Sequence, residues 1–179
     1  LVLSLPFTLK NFEDNRDRTY FISEQDSLVL NMQYEEPRFI VTKRTTFFGD
    51  SFASQHNVAV VDKKGGLEKI YLIWDKGLRN TEKNLYDDVA TYSAAYISHN
   101  KETEDLWFAP SSMNDQTDPV SFGGETIDWA AIRTKYFIVA LIPVSANSAR
   151  ISGSPYMLNE ESVVPSYSAS IFTANKTLE

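Results

Sequence analysis

Residues 28–34, Leu28-Val29-Leu30-Asn31-Met32-Gln33-Tyr34, and the run that follows, Phe39-Ile40-Val41-Thr42-Lys43-Arg44-Thr45-Thr46-Phe47-Phe48, decide the fold class. The first alternates well enough to be a half-buried strand, because successive side chains of a strand point to opposite faces. Glu35-Glu36-Pro37 breaks it. The second run is dense in β-branched and aromatic residues, which pack well on a pleated surface, and reads as the paired partner of a hairpin.

The same grammar continues outward. After Gly49-Asp50, residues Phe52 to Val61 read as a strand, closed by Asp62-Lys63-Lys64-Gly65-Gly66. That cluster signals a hairpin turn, since glycine accepts positive φ. Leu67 to Trp74 is predicted to return beside it, with Ile70, Leu72 and Trp74 on one face and Tyr71 and Ile73 on the other. Between Leu85 and Ser98 the spacing is ambiguous: Leu85, Val89, Tyr92 and Tyr96 fit a helix, whereas Tyr92, Ala94 and Tyr96 fit a strand. The flanking β pattern and the tyrosines favour the strand. A brief strand is expected at Asp105 to Ala109, then a polar loop from Pro110 to Gly124 and one short helical turn over Thr126 to Arg133. Tyr136 to Ile142 is apolar throughout, which predicts a strand buried on both faces. Ile151 to Leu158 and Val163 to Thr173 supply two more strands, the latter alternating as Tyr167, Ala169, Ile171 and Thr173. Eight to ten strands in hairpin order, with few short helices, predict an all-β sandwich of antiparallel sheets forming one domain over residues 1–179.

Composition agrees with a packed domain. Of 179 residues, 42% are apolar and 23% charged, so the chain can bury a core. Lysine and arginine total 17 against 24 acidic residues, a net charge of −7. Phosphate backbones need clustered cations, and here only the pairs Lys43-Arg44 and Lys63-Lys64 adjoin. Nucleic acid is therefore not expected as a partner, and neither is docking driven by anionic lipid. With no cysteine, disulfides and thiolate metal sites are ruled out. The longest apolar run, Tyr136 to Ile142, falls well short of the roughly 20 residues of a membrane-spanning helix. The chain reads as an excised stretch of a longer protein.

Signs of catalysis are sparse. The two histidines, His56 within a strand and His99 in the turn His99-Asn100-Lys101, read as surface or edge residues. Carboxylates gather at Glu35-Glu36, Asp87-Asp88 and Glu102 with Glu104-Asp105, where solvated strand ends explain them. Asp14-Asn15-Arg16-Asp17 lacks the glycine and terminal glutamate of a calcium loop. Trp74, Trp107 and Trp129 each adjoin apolar residues, which suggests packing rather than sugar platforms. No cofactor is expected.

Trp129-Ala130-Ala131-Ile132-Arg133-Thr134-Lys135-Tyr136-Phe137-Ile138-Val139-Ala140-Leu141-Ile142-Pro143 resembles a signature of the periplasmic domain of YidC-type (YidC/Oxa1/Alb3) membrane protein insertases. Upstream, Tyr71-Leu72-Ile73-Trp74-Asp75-Lys76-Gly77-Leu78, with Thr81-Glu82 after it, is similar to the strand and glycine turn of that family, particularly in Bacteroidetes and Chlorobi. The hairpin from Leu28 to Phe48 fits as well. The resemblance implies an antiparallel β-supersandwich (galactose mutarotase-like) on the periplasmic side of the bacterial inner membrane, tethered by helices outside this chain. It implies a non-catalytic role in inserting and folding inner-membrane proteins, alone or with the Sec translocon and its SecDF-type accessory. Its motif residues, Trp74, Gly77, Leu78, Glu82, Trp129, Lys135, Tyr136, Phe137 and Pro143, would be architectural, with Trp129, Tyr136 and Phe137 anchoring the core. The alternative is a carbohydrate-binding or mutarotase-like protein. That reading requires a tryptophan in an open cleft, or a histidine and a glutamate converging in one.

Overall fold

A computed structural model describes residues 8–9, 19–75, 77–78, 92–108, 120–157, 163–173 and 177–178. These residues are essentially all β, in three antiparallel sheets. The chain divides into two compact units, Leu1–Ile70 with Ala174–Glu179, and Tyr71–Thr173.

The first unit holds one five-stranded sheet. Its strands are β1 (Thr8–Leu9), β2 (Ser27–Glu35), β3 (Phe39–Phe48), β4 (Ser54–Asp62) and β13 (Thr177–Leu178), in that spatial order. The opening hairpin forms as its sequence predicts: Leu30 faces Thr45 and Glu35 faces Ile40. Its reversal is fixed by the Glu36 N–H donating to the Phe39 carbonyl at 2.9 Å. The turn after β4 also forms, but it does not start the expected hairpin. The Lys63 N–H bonds to the Arg38 carbonyl at 2.8 Å, Arg38 clasps the Asp62 carboxylate at 3.2 and 3.3 Å, and Lys63 Nζ reaches Glu35 at 2.9 Å. These bonds tie the turn back to the β2–β3 end. The outer edge of β4, where a returning strand would pair, is taken by β13, with Thr177 facing Ala59.

The second unit is a two-layer sandwich. One sheet has the order β10 (Ile138–Leu141), β9 (Ile127–Arg133), β6 (Ala94–His99), β7 (Glu102–Leu106). The other runs β5 (Ile70–Trp74), β12 (Val163–Thr173), β11 (Ser148–Met157), β8 (Val120–Gly123). Strands β11 and β12 pack across β6 and β9. Their contact is built from Ala95, Ile97, Ala130 and Ile132 on one side and Ala149, Ile151, Ala169 and Ile171 on the other, all at most 2% exposed. Alanines beside isoleucines let the layers interdigitate, and each sealed isoleucine stabilises the unit by about 1.5–3 kcal/mol. The alternation read in residues 167–173 is borne out, because Tyr167, Ala169, Ile171 and Thr173 are all buried.

Four further expectations need correction. Thr126 to Arg133 is not a helical turn; Ile127–Arg133 is the fully paired strand β9, whose Ala130-Ala131 suits close sheet packing. The apolar run Tyr136 to Ile142 is not a strand buried on both faces. Only Ile138–Leu141 is strand, it lies at the sheet edge with β9 alone beside it among the described residues, and Ile138 is 61% exposed. An apolar run cannot tell a central strand from an edge one, since that depends on what the rest of the chain lays beside it. Val120–Gly123, read as part of a loop, forms β8 against β11, while residues 109–119 lie outside the described ones. His99 is no surface turn residue: it ends β6 and is buried. The strand reading of Leu85 to Ser98 is met by β6 over Ala94–His99, and residues 85–91 fall outside the description.

Candidate functional site

Within the second unit, a cleft of about 650 Å³ opens beside β11 and β12. Ser152, Gly153, Ser154, Pro155 and Tyr156 of β11 line it together with Val164, Pro165, Ser166, Tyr167 and Ser168 of β12. The end of β9 adds Ile132 and Arg133, and the segment after β5 adds Asp75, Gly77 and Leu78. That volume suits a small ligand or a short stretch of polypeptide. The floor is organised by pairing within the wall: the Ser152 and Ser168 hydroxyls lie 2.6 Å apart across facing strand positions. Tyr167 is held from beneath, its phenol oxygen accepting the Phe108 N–H at 3.0 Å, and burial pushes its pKa up to about 12. This tyrosine stays a neutral phenol at any physiological pH.

The described wall thus offers neutral hydroxyls, two prolines and apolar surface, with one carboxylate (Asp75) and one guanidinium (Arg133). Arg133 is engaged, its Nε donating to the Tyr92 carbonyl at 3.4 Å and its guanidinium lying 5.5 Å from the Tyr96 ring. Such a surface can hold a chain by hydrogen bonds and apolar contact. The described lining lacks the acid–base pair that proton transfer requires. Among the described residues no three acidic or histidine side chains gather as a metal site.

Of the motif residues, Trp74 and Gly77 come together. The Trp74 indole N–H donates to the Gly77 carbonyl at 2.8 Å, closing a turn in which Gly77 sits at φ 67°. That left-handed backbone suits glycine, because a Cβ would crowd the following carbonyl. Gly77 and Leu78 then form cleft wall. Glu82 lies outside the described residues. Trp129 is half-buried within β9, facing Ser98, and Pro143 is half-buried beyond β10. The expected core anchors Tyr136 and Phe137 prove to be surface residues, 60% and 56% exposed, in the turn that Thr134 and Phe137 close at 2.8 Å. Lys135 is exposed beside them, its ammonium 5.0 Å from the Tyr136 ring and 5.2 Å from the Tyr92 ring.

The mutarotase-like alternative asks for a histidine meeting a glutamate in a cleft. His99 does meet Glu125, with Nδ1 and Oε2 2.6 Å apart, and its ring stacks on Phe122 at 4.1 Å. Asn100 shares the same carboxylate oxygen at 3.2 Å, while His99 Nε2 is buried without a hydrogen-bond partner. None of these residues lines the cleft, and neither do Trp74 and Trp107, which are 38% and 49% exposed. His56, in the first unit, is spent on Thr45 Oγ1 (3.1 Å) and Ser54 Oγ (2.9 Å), with burial and then Lys43 lowering its pKa. Of the acidic clusters, Glu35 pairs with Lys63 and Glu36 accepts from the Tyr34 hydroxyl, while Glu102, Glu104 and Asp105 are solvated along β7. Asp87-Asp88 and Asp14 to Asp17 lie outside the described residues.

Sequence reading missed the serine wall. Ser166 and Ser168 flank the buried Tyr167 and precede the buried Ala169, so the signal was present as the polar phase of the same period.

Comparison with known proteins bears on the whole chain. The family model described as the YidC periplasmic domain matches residues 5–178, across both units. Among curated proteins, the "Membrane protein insertase YidC" of Prosthecochloris aestuarii is 30% identical over 62% of this chain and 20% of its own length. The protein of the same name from Chlorobium luteolum is 33% identical over 60% of this chain and 18% of its own. That of Chloroherpeton thalassium is 29% identical over 88% of this chain and 25% of its own. The chain thus spans a quarter or less of these relatives. No solved structure matches closely enough to count as a relative.

Proposed function

Since the chain belongs to the YidC periplasmic domain family and so to the periplasmic side of the bacterial inner membrane, we propose that it is the non-catalytic periplasmic part of a membrane protein insertase. The parent protein assists inner-membrane proteins to insert and fold, alone or with the Sec translocon. Both compact units act as one domain of the supersandwich type, because a single family match runs through them from residue 5 to residue 178. That continuous match is the observation that carries the reading. The cleft supports it: hydroxyls, prolines and apolar side chains suit transient contact with a SecDF-type accessory or an emerging client segment better than bond-making.

The test places a photo-crosslinking residue at Tyr156 or Ser168 in the full-length protein in its own host. Adducts with a SecDF-type subunit or with a stalled nascent membrane protein are expected. Failure to form either, together with a rise in melting temperature on adding simple sugars, would replace this reading with the carbohydrate-binding one.

A further inference from the structure

The sheet β10-β9-β6-β7 has two edges, and they differ in kind. Along β7 the exposed residues Glu102, Thr103, Glu104 and Asp105 guard the edge with carboxylates, the usual protection against unwanted pairing. Along β10, Ile138–Leu141, the strand itself carries no such carboxylate. Ile138 and Ala140 share its exposed face, and Phe137, Ile142 and Val144 extend the apolar strip with exposures of 56%, 73% and 73%. At one end of this strip stand Lys135, Tyr136 and Tyr92, with Arg133 facing Ile138 across the β9–β10 ladder.

We propose that β10 and the turn before it rest on the lipid bilayer, with the apolar strip at the headgroup–acyl boundary and Lys135 and the tyrosines among the phosphates. The composition fits that surface: tyrosine and lysine are at home where an apolar body must end in a polar, phosphate-rich layer. A second copy is a poor occupant, since β10 offers only the four residues Ile138–Leu141 for edge pairing. The two most exposed aromatics, Phe21 and Phe52, neighbour Glu24, Asp26 and Asp50 in sequence, whose carboxylates lipid phosphates would repel. The contact adds to the chain's net charge of −7 a local exception, cationic only at the strip's end. It can be weak, because a domain held near a bilayer by the rest of a longer protein meets it at high effective concentration. It needs only the periplasmic-side location, so it stands or falls separately from the insertase role.

The chain contains no cysteine, so Phe137→Cys, Ile142→Cys and Phe52→Cys can each carry one polarity-sensitive dye. On vesicles of phosphatidylethanolamine and phosphatidylglycerol, a several-fold rise in emission is expected at positions 137 and 142, with little change at 52. The rise should vanish in the Ile138→Thr/Ile142→Thr variant and fall several-fold in Lys135→Glu, both retaining the wild-type melting temperature. The proposal is overturned by any of four results. These are silence at 137 at every lipid concentration, an equal response at 52, a response on concentrating the protein without lipid (a second copy), or a response to a soluble apolar peptide but not to vesicles (a protein segment).

Discussion

Gly153 should be nearly irreplaceable, and Phe108 is the reason. A Cβ built on Gly153 would sit 2.0 Å from Phe108 Cε2 and 2.7 Å from its Cζ, where ordinary carbon contacts are about 3.5–4.0 Å. The ring must therefore retreat by roughly 1.5 Å. It has nowhere easy to go: Phe108 is 3% exposed, its centroid is 5.5 Å from that of Tyr167, and its N–H is tied to the Tyr167 hydroxyl. Overpacking of this kind costs about 1–3 kcal/mol, and complete loss of a buried phenylalanine about 3–5. Gly153→Ala is expected near the overlap, about 3 kcal/mol, which lowers the melting temperature by roughly 6–12 °C for a chain of this size. All three tryptophans, Trp74, Trp107 and Trp129, belong to the second unit, so their fluorescence reports on it. A double-mutant cycle isolates the cause. In a Phe108→Ala background the added methyl should cost under about 1 kcal/mol, giving a coupling of about 2 kcal/mol or more. Strictly additive costs, or a Gly153→Ala protein that melts like the wild type, would show that the ring does not pack over this glycine.

Three further outcomes follow from single groups. The His56 imidazole, lowered by burial and then by Lys43, should titrate below the usual histidine midpoint by NMR, and Lys43→Gln should move it up. Because the fold favours its neutral form, that part of the first unit's stability is present above about pH 6.5 and lost on acidification; His56→Gln should flatten the slope. Tyr167, raised to about 12 by burial, contributes stability that is full below about pH 10 and lost as pH climbs towards 12. Tyr167→Phe should erase the latest phase of the phenol difference titration and, by orphaning the buried Phe108 N–H, cost about 1–3 kcal/mol. Gly77→Ala should cost about 1–2 kcal/mol for its left-handed backbone, with Gly77→Asn milder, both read by thermal melts.

What the sequence disclosed was local. Residues 28–34, 39–48 and 167–173 are true strands, and in 167–173 the alternating residues are the buried ones, because the period-two pattern and the burial it serves are one fact. What it withheld was pairing. Asp62 to Gly66 specifies a reversal but not a partner, and here the far edge of β4 is filled from residues 177–178, over a hundred positions away. Thr126 to Arg133 misleads for a related reason: alanines favour helices in isolation, yet Ala130 and Ala131 face Leu141 and Ala140 on β10 and Ile97 and Tyr96 on β6, where small side chains let layers close.

The site follows the same division. The strand and glycine turn of Trp74 and Gly77 were legible by resemblance, and the bond between them is local, a tryptophan at a strand end reaching a glycine three residues on. The cleft was not, since its walls come from β9, β11 and β12 and the segment after β5, and only packing makes them neighbours. The Lys135-Tyr136-Phe137 motif shows the cost of equating a distinctive apolar sequence with a core. Removing Phe137 from water would stabilise a fold, but Phe137 stays 56% exposed while alanines and isoleucines fill the interior of its unit. A sheet that guards its β7 edge with three carboxylates and leaves its β10 edge apolar is asymmetric in a way that folding alone does not require. The free energy left unused along β10 is available to whatever surface covers it.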